Sequence, residues 1–405
     1  MRVHEITSYG ACAATLKAPG LRQSLYDAAS VMMEKALVNL DGAEHRARRT
    51  VESKVFRKDF FLLYEREVLP KTMAQTIAPY LAAGSADLVD LGYRIMMNLT
   101  IDFAGIDRPE QSTAETADLL RLLKVFSLAP SLGQRQSQAG VSGVEELIRA
   151  AMDEFDQRYL APSVTRRRAL IASVEDGADD EGVLPRDVLT SLLASEDKLA
   201  LTPTALLQEA IFLTLAGAHT SIHSLTHAVH EILVWAAANP ATAHRLMDDP
   251  FFVQRCVYES LRLHPSSPVA KRKSSCPMTL AAVGDIAAED ELIVNLRAAN
   301  RDPSMFGTEA DVFDPDRQVP SGQFGYGLSM GLGMHACLGR NLAVGVPARP
   351  ETDPATHHYG TVPLIVSALL RHGLSPDLEN PPLKDVSITR ISWASYPVLL
   401  GEGRA

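Results

Sequence analysis

Cysteine is scarce in this 405-residue sequence, and four cysteines are too few for a disulfide framework in a chain of this length. Long apolar runs are also missing. A long stretch without Asp, Glu, Lys or Arg, residues 210–230, contains four histidines and several Ser and Thr residues, which are costly in a bilayer. The first residues lack the apolar segment of a signal peptide. We therefore expect a cytoplasmic protein that does not act on membranes.

Basic residues are outnumbered: 39 Lys and Arg residues face 49 Asp and Glu residues, which gives a net charge of −10. Such a surface repels phosphate backbones, so we expect no nucleic acid among the partners. Hydrophobic residues make up 46% and charged residues 22% of the chain, which excludes intrinsic disorder and low-complexity architectures. The composition is that of a globular chain with a large core.

One long helix stands out in the sequence pattern. Thr202 and Pro203 form a typical helix start, and no helix breaker follows until Pro240. A helix of this length spans about 50 Å. Its middle, residues 210–218, is apolar on every side, which predicts that it is buried.

The remaining pattern predicts a mainly helical fold with small β-sheets. Helical periodicity alternates with polar breaks along most of the chain, and a short strand is predicted at residues 291–295. Two segments are predicted to be exposed loops. They are residues 165–182, where three arginines precede an acidic run, and residues 347–358, which begin at a proline.

A glycine-rich segment around Cys337 carries the clearest chemical signal. Glycines at positions 325, 327, 331, 333 and 339 let the backbone come close to a flat, bulky group. Residues 338–346 are predicted to be helical, which would place Cys337 at a helix N-terminus, where a thiolate is stabilised. A thiolate in such a loop suits an axial ligand of haem iron, and a glycine-rich surface loop is the alternative interpretation.

Residues 331–339 resemble the haem-binding loop of the cytochrome P-450 family. The matching positions are Gly331, Gly333, His335, Cys337 and Gly339. The resemblance implies that Cys337 is the metal ligand of haem b (iron protoporphyrin IX) and that the loop, with Met330 at its start, contacts this cofactor. Met330 departs from the family, which has phenylalanine at this position.

A second resemblance involves Glu259-x-x-Arg262, which is similar to the Glu-x-x-Arg helix of the family. Read alone, such a pair is usually a weak surface salt bridge. Arg317 is similar to the family arginine that joins the pair. The resemblance implies that these three side chains brace the core behind the haem.

Residues 216–220, with the sequence Ala-Gly-Ala-His-Thr, are similar to the family's oxygen-activating segment. The resemblance implies that Ala216 and Gly217 contact the haem and that Thr220 and His219 are catalytic groups that deliver protons. Most members have an acidic residue in place of His219, and sterol-demethylating members have histidine. A hydroxyl bonded back to the preceding helical turn is the alternative interpretation of Thr220.

Four donor or cationic side chains match family positions that bind the haem propionates. They are His45, Arg49, Arg272 and His335. Arginine suits carboxylates because its donors form a fork. His45 comes earlier than in bacterial members. We therefore expect a single domain over residues 1–405 that lacks the usual N-terminal helix and strand region.

The resemblance implies a triangular prism of helices with the haem between the long helix and the Cys337 loop. It also implies a haem-thiolate monooxygenase that uses O₂ to oxidise a small organic substrate, natural-product or lipid-like, in secondary metabolism. A separate ferredoxin and ferredoxin reductase would supply electrons, with Arg46, Arg48 and Arg340 forming a basic docking surface. A peroxide-driven peroxygenase and a non-enzymatic haem-binding or sensor protein are the alternatives.

The long helix also carries a competing signal. Its histidines at positions 219, 223, 227 and 230 repeat at spacings that can bind zinc. A zinc site would leave the Cys337 motif unexplained, so we interpret His223 and His227 as polar side chains on the helix face. Cys12 and Cys256 are predicted to be small buried hydrophobic residues.

Overall fold

The computed structural model describes residues 2–129, 138–386 and 390–401. These residues form two compact units, each assembled from separate stretches of the chain. The first unit contains Met1–Leu21, Phe61–Ile95 and His219–Ala405, and the second contains Arg22–Phe60 and Met96–Ala218. The single domain expected over residues 1–405 stays a prediction.

Helices dominate the structure, as the sequence pattern predicts. In chain order the α-helices are α1 (Tyr9–Lys17), α2 (Ser30–Met33), α3 (Gly42–Glu52), α4 (Lys58–Leu63), α5 (Leu69–Ala83), α6 (Leu88–Ala104), α7 (Thr113–Phe126), α8 (Gln138–Phe155), α9 (Ala161–Glu175), α10 (Val188–Leu193), α11 (Glu196–Leu199), α12 (Pro203–Ala238), α13 (Arg245–Asp248), α14 (Phe252–Leu263), α15 (Leu296–Ala299), α16 (Pro303–Phe306), α17 (Arg340–Val344) and α18 (Thr361–Arg371). π-Helical turns join α4 to α5 at Tyr64–Val68 and α8 to α9 at Asp156–Leu160. Within the described ranges no helix has both the length and the apolar character needed to cross a bilayer.

The strands are short. In chain order they are β1 (Val3–Ile6), β2 (Leu21–Gln23), β3 (Ser85–Asp87), β4 (Val269–Ser274), β5 (Met278–Leu280), β6 (Gly284–Ile286), β7 (Glu291–Asn295), β8 (Ser375–Pro376), β9 (Leu383–Lys384), β10 (Trp393–Ser395) and β11 (Pro397–Leu399). In the first unit β7 pairs with β1 in parallel and with β4 in antiparallel orientation. β11 pairs with β3 and β8, β5 with β6, and β9 with β10, all antiparallel. The strand predicted at residues 291–295 is confirmed as β7.

A hydrophobic cluster joins α1 to the sheet of the first unit. Ile6 of β1, Cys12 and Leu16 of α1, and Leu292 and Val294 of β7 are buried in it. Cys12 and Cys256 are both fully buried, as predicted from the sequence. Because α1 follows β1 after two residues, the chain ahead of His45 supplies both a helix and a strand to this unit.

The long helix α12 confirms the start and stop signals of the sequence. The hydroxyl of Thr202 accepts a hydrogen bond from the backbone N–H of Ala205 at 3.1 Å, so it caps the first turn. The helix ends at Ala238, two residues before Pro240. Its residues up to Ala218 belong to the second unit, and those from His219 onward belong to the first. Residues 210–218 alternate between buried and half-buried positions, so the predicted burial is only partly confirmed.

The exposed loop predicted at residues 165–182 is wrong for its first half, which continues helix α9 to Glu175. Arg167 points inward and is only 3% exposed, with its Nη2 2.8 Å from the Oδ2 of Asp187. Asp187 also caps α10 by accepting the backbone N–H of Thr190. This buried ion pair ties α9 to the start of α10, and the exposed irregular chain begins only after Glu175.

The helix predicted over residues 338–346 is shorter than expected: α17 contains only Arg340–Val344. The chain leaves the helix at Gly345, which has a φ of +72°, and α18 starts after Gly360, which has a φ of +89°. A Cβ atom on Gly360 would lie 2.3 Å from the backbone N of Gly345. The two ends of the segment between α17 and α18 are therefore in direct contact. The loop predicted at residues 347–358 is confirmed as irregular chain.

A buried ion cluster in the first unit holds α14 against the segment that precedes the Cys337 loop. The two oxygens of Glu259 lie 2.7 and 2.6 Å from the Nε and Nη2 of Arg262, and the Nε of Arg317 lies 2.9 Å from Oε1. Arg262 is fully buried, and its Nη1 also donates to the carbonyl oxygens of Asn300 and Ala310 at 2.7 and 2.6 Å. The cluster therefore fixes three separate backbone segments to one carboxylate.

The second unit contains a buried cluster with an unequal charge balance. Arg48 lies between Glu209, 2.6 Å from its Nη2, and Glu52, 3.4 Å from its Nε, and all three side chains are buried. One guanidinium thus faces two carboxylates. Burial and the charge of Glu209 raise the pKa of Glu52 well above its ordinary value, so Glu52 keeps its proton to a higher pH than a glutamate in the unfolded chain. The prediction that Arg48 belongs to a surface docking patch is wrong, because its charge is needed inside.

Replacing Glu259 by Gln leaves two buried guanidiniums opposite a neutral amide. We expect the free energy of unfolding to fall by about 3–5 kcal/mol, as for other buried pairs that lose one partner. Urea unfolding measures it. Glu196→Gln is the control, since its partner Arg168 is more than half exposed, and we expect a loss below about 1 kcal/mol. Equal losses in both variants would contradict a bracing role for the cluster.

Replacing Glu52 by Gln tests the unequal charge of the second cluster. The unfolded chain releases the Glu52 proton near its ordinary pKa of 4.5, whereas the folded protein retains it at higher pH. The free energy of unfolding contributed by this group therefore falls as the pH rises above 4.5. We expect Glu52→Gln to stabilise the protein more at pH 8 than at pH 5 in urea unfolding. A benefit that is the same at both pH values would show that Glu52 is ionised in the fold.

Candidate active site

The Cys337 loop belongs to the first unit and presents an exposed thiol. The backbone N–H of Cys337 donates to the carbonyl of Met330 at 2.8 Å, which closes the loop. Gly331 and Gly333 have φ values of +64° and +71°, and a Cβ atom on Gly333 would lie 2.6 Å from the carbonyl oxygen of Leu16. The glycines are therefore required by the loop's own backbone and packing.

Cys337 does not lie at a helix N-terminus, as the sequence predicted. Gly339 is the N-cap of α17, whose five residues start at Arg340. The free N–H groups of the first turn therefore come after Cys337 in the chain.

An aromatic group lies on the N-terminal side of the loop. The rings of Phe324 and Tyr326 stack with their centroids 4.9 Å apart, and Tyr258 meets Tyr326 edge-on at 5.3 Å. The guanidinium of Arg340 lies over the Phe324 ring, 5.0 Å from its centroid. Arg340 thus packs on an aromatic face and is half-buried, whereas Arg46 is exposed as the predicted docking residue should be.

Arg272 of β4 is a buried cation. It is 5% exposed, and its Nη1 donates to the carbonyl oxygen of Lys271 at 2.9 Å. Within the described residues no carboxylate pairs with it, and burial lowers its pKa to about 10. A buried guanidinium without a counter-charge is costly. The side chain therefore fits an anionic group such as a haem propionate, and the exposed Cys337 thiol of the same unit fits the iron.

His335 ends the 3₁₀ turn Gly333–His335 and is half-buried. It stands two residues before Cys337 in the same loop. Its role as a propionate partner stays a prediction, as does the contact of Met330 with the cofactor.

His219 has both ring nitrogens engaged. Its Nδ1 lies 2.9 Å from the hydroxyl of Tyr93, and its Nε2 lies 2.9 Å from the Nη2 of Arg390. Because arginine can only donate, Nε2 accepts and the proton of the neutral ring is on Nδ1. Burial, followed by the charge of Arg390, lowers the pKa of His219 to about 4, so the imidazole is neutral at pH 7.

The backbone carbonyl of Thr220 accepts two side-chain hydroxyls, those of Ser224 and Ser266, each at 3.0 Å. The two serine oxygens are 3.1 Å apart. Arg390 donates to the carbonyl of Ser266 at 2.6 Å. Two serine hydroxyls therefore bind the helix at Thr220. One of these serines is held through its carbonyl by Arg390, which also contacts His219.

The other predicted residues lie in the second unit. His45 of α3 is 1% exposed, and its pKa is lowered by burial and by the charges of Arg49 and Arg46. Arg49 is half-buried one turn later. Gly217 of α12 packs on Thr100, whose Cγ2 would lie 2.6 Å from a Cβ atom at this position, so the glycine allows close contact with α6. The cofactor contacts of these residues and of Ala216 stay predictions.

Tyr93, Ser266 and Arg390 were missed by the sequence analysis. Arg390 and His219 are 171 residues apart in the chain, so no local sequence pattern reveals that they pair. The zinc alternative is wrong: among the described residues, no three His, Cys, Asp or Glu side chains are placed to hold a metal ion.

Comparison with known proteins follows this geometry. The family model described as Cytochrome P450 matches residues 142–344, half of the chain. The mycinamicin VIII C21 methyl hydroxylase of Micromonospora griseorubida is 34% identical over 168 residues, which cover 40% of this chain and 38% of that protein. The biotin biosynthesis cytochrome P450 of Bacillus subtilis (strain 168) is 32% identical over 158 residues, with 39% and 37% covered. The matches thus span well under half of these relatives.

Solved structures share the fold over nearly the whole chain. The structure of CalO2 has a TM-score of 0.74 at 20% identity and covers 99% of this chain and 91% of that one. The structure of P450BioI, in complex with hexadec-9Z-enoic acid ligated acyl carrier protein, has a TM-score of 0.72 at 20% identity, with 98% and 92% covered. The mainly helical fold with small sheets is thereby confirmed.

Replacing Arg390 by Gln removes the positive charge that faces His219. We expect the pKa of His219 to rise above 4 but to stay below 6.5, because burial is the larger cause of its depression. NMR titration of the histidine ring protons measures it. Tyr93→Phe is the control, since it removes a hydrogen bond and no charge, and should move this pKa less. A pKa that is unchanged in Arg390→Gln would contradict the pairing.

Proposed function

Because this chain belongs to the cytochrome P450 family, we propose that it is a haem-thiolate monooxygenase. It oxidises a small organic substrate with O₂ and with electrons from a separate redox partner. The observation that carries the proposal is the buried Arg272, which has no carboxylate partner in the described part of the chain and lies in the same unit as the exposed Cys337 thiol. A cofactor with both a soft metal and carboxylates satisfies both groups.

The Cys337 loop would hold the cofactor from one side. The Cys337 sulfur would bind the iron of haem b, and Arg272 and His335 would hold its propionates. When bound, the haem supplies activation of O₂ and transfer of one oxygen atom to the substrate. His45 and Arg49 are further candidates for propionate binding, on the family resemblance alone.

His219 and Thr220 would deliver protons. His219 is neutral and carries its proton on Nδ1, so it donates to the Tyr93 hydroxyl and accepts from Arg390. An acidic residue at this position would be charged beside Arg390 and would hold no proton, whereas the neutral imidazole keeps one on Nδ1 that it can give. The Thr220 hydroxyl would pass these protons on toward the place where O₂ is activated.

The substrate class follows from the relatives only in outline. One relative is named a mycinamicin VIII C21 methyl hydroxylase, and one solved neighbour is in complex with hexadec-9Z-enoic acid ligated acyl carrier protein. We propose a natural-product or lipid-like substrate. A ferredoxin and its reductase are the proposed electron donors, with the exposed Arg46 as one contact.

The spectrum of the reduced protein with carbon monoxide tests the proposal. We expect a strongly red-shifted Soret band that is lost in Cys337→Ser, because a serine oxygen cannot replace the thiolate. Cys276→Ser is the matched control, since Cys276 is the other exposed cysteine, and it should keep the band.

The same proteins are then assayed for substrate oxidation. Turnover with O₂ and a ferredoxin system supports the monooxygenase, whereas comparable turnover with peroxide alone would identify a peroxygenase. A protein that purifies without haem, or whose band survives in Cys337→Ser, would overturn the proposal.

A further inference from the structure

A stripe of histidines runs along α12 beyond Thr220. His219, His223, His227 and His230 lie within one quarter of the helix circumference, because their spacing is close to whole turns. All four belong to the first unit, and the ring of His264, at the end of α14, packs against the same stripe. The function proposed above uses only His219.

The rings form a continuous series of contacts. The His223 and His227 centroids are 4.4 Å apart, and the His227 and His264 rings are stacked at 4.3 Å with 16° between their planes. The Nε2 of His264 lies 2.6 Å from the Oε1 of Glu231. His264 and Glu231 are 20% and 17% exposed, whereas His223 and His227 are 3% and 2% exposed. The series therefore runs from solvent into the interior.

His223 is the unusual member. Neither of its ring nitrogens has a protein hydrogen-bond partner in the described part of the chain. Buried polar groups are normally satisfied, and an imidazole has one donor and one acceptor to satisfy. A structural role on the helix face would be filled better by an apolar side chain. The His223 ring can therefore donate one hydrogen bond to water and accept another from water.

His227 also has one ring nitrogen without a protein hydrogen-bond partner in the described part of the chain. Its Nε2 lies 3.1 Å from the carbonyl oxygen of Ile391 and must donate to it, so its Nδ1 is an acceptor, and this atom has no protein partner. The charged groups around the stripe are Arg390 and Asp385 near His219, and Glu231 and Lys384 near His230. Burial keeps the inner rings neutral, so His223 can accept a proton on one nitrogen and release one from the other, whereas His227 accepts and releases a proton at Nδ1.

We propose that Glu231, His264, His227 and His223 form a proton path, linked by water, that resupplies Thr220 from solvent. Glu231 and His264 take up the proton, and His227 and His223 pass one on toward Thr220. One proton moves inward for each proton consumed, and no bond to carbon or change of oxidation state is involved. The proposal rests on the proposed function, because the protons are those that the reduction of O₂ consumes.

His230 provides a matched control. It lies on the same stripe, but its Nδ1 is 3.0 Å from the hydroxyl of Tyr396 and its ring packs on Trp393 at 4.9 Å. It therefore has a structural partner and is outside the series that leads to His223. His230→Phe and His223→Phe remove the same chemical group from the same helix face.

The first measurement needs no turnover. In the reduced, carbon monoxide-bound protein, ¹⁵N NMR of the histidines follows exchange of the ring protons with water. We expect rapid exchange at the buried His223, slower exchange in Glu231→Gln, and no change in His230→Phe. Exchange at His223 that is the same in Glu231→Gln would overturn the path. Failure of the protein to form the thiolate spectrum would instead overturn the proposed function, and the exchange could still be measured.

The second measurement is the yield of product per reducing equivalent, with its solvent deuterium isotope effect. We expect His223→Phe to lower this yield about tenfold, which is less than the loss expected for a direct general acid, and to increase the isotope effect. Its stability should equal or exceed that of the wild type, because an unsatisfied polar ring is removed. His230→Phe should keep the wild-type yield. Wild-type yield and isotope effect in His223→Phe would contradict the proposal.

Discussion

The candidate site depends on the ion pairs that the Glu259 carboxylate forms with two arginines. The carboxylate neutralises their charges, which would be costly inside the protein without it. The remaining donors of the two arginines bind carbonyl groups of the segment that leads into the Cys337 loop. The loop itself contributes little regular structure, and its cysteine donates a backbone hydrogen bond to Met330. A rigid base behind an irregular loop is what a soft metal ligand needs, since the loop cannot fix the sulfur by itself.

The irregular segment between α17 and α18 interrupts the helical structure of the same unit close to the site. Gln254 places its side-chain nitrogen 3.0 and 2.9 Å from the carbonyls of Val344 and Tyr359, on either side of the break. Glu65 accepts the backbone N–H groups of Tyr359 and Gly360. Both side chains satisfy backbone groups that a continuous helix would have satisfied internally. The irregular segment therefore leaves the buried ends of both helices intact.

Charge and burial divide the two sides of the first unit differently. Near the Cys337 loop, Arg272 is a cation that awaits an anion, whereas along α12 the histidines are kept neutral by burial and by Arg390. A neutral imidazole at position 219 suits a site beside an arginine, because a carboxyl group there would be ionised by the salt bridge and would have no proton left to give. The polar face of α12 and the proposed chemistry are thus consistent with each other.

The sequence alone determined the features whose signals are local. The cap and proline of α12, the Cys337 motif and the Glu259–Arg262 spacing can each be recognised within a short window, because helix geometry and motif chemistry act between neighbours. The tertiary structure alone decided that Arg48 is buried, that Arg390 faces His219 and that α17 stops at Gly345. These depend on partners far apart in the chain, and burial, which sets their charge state, is a property of the packed fold.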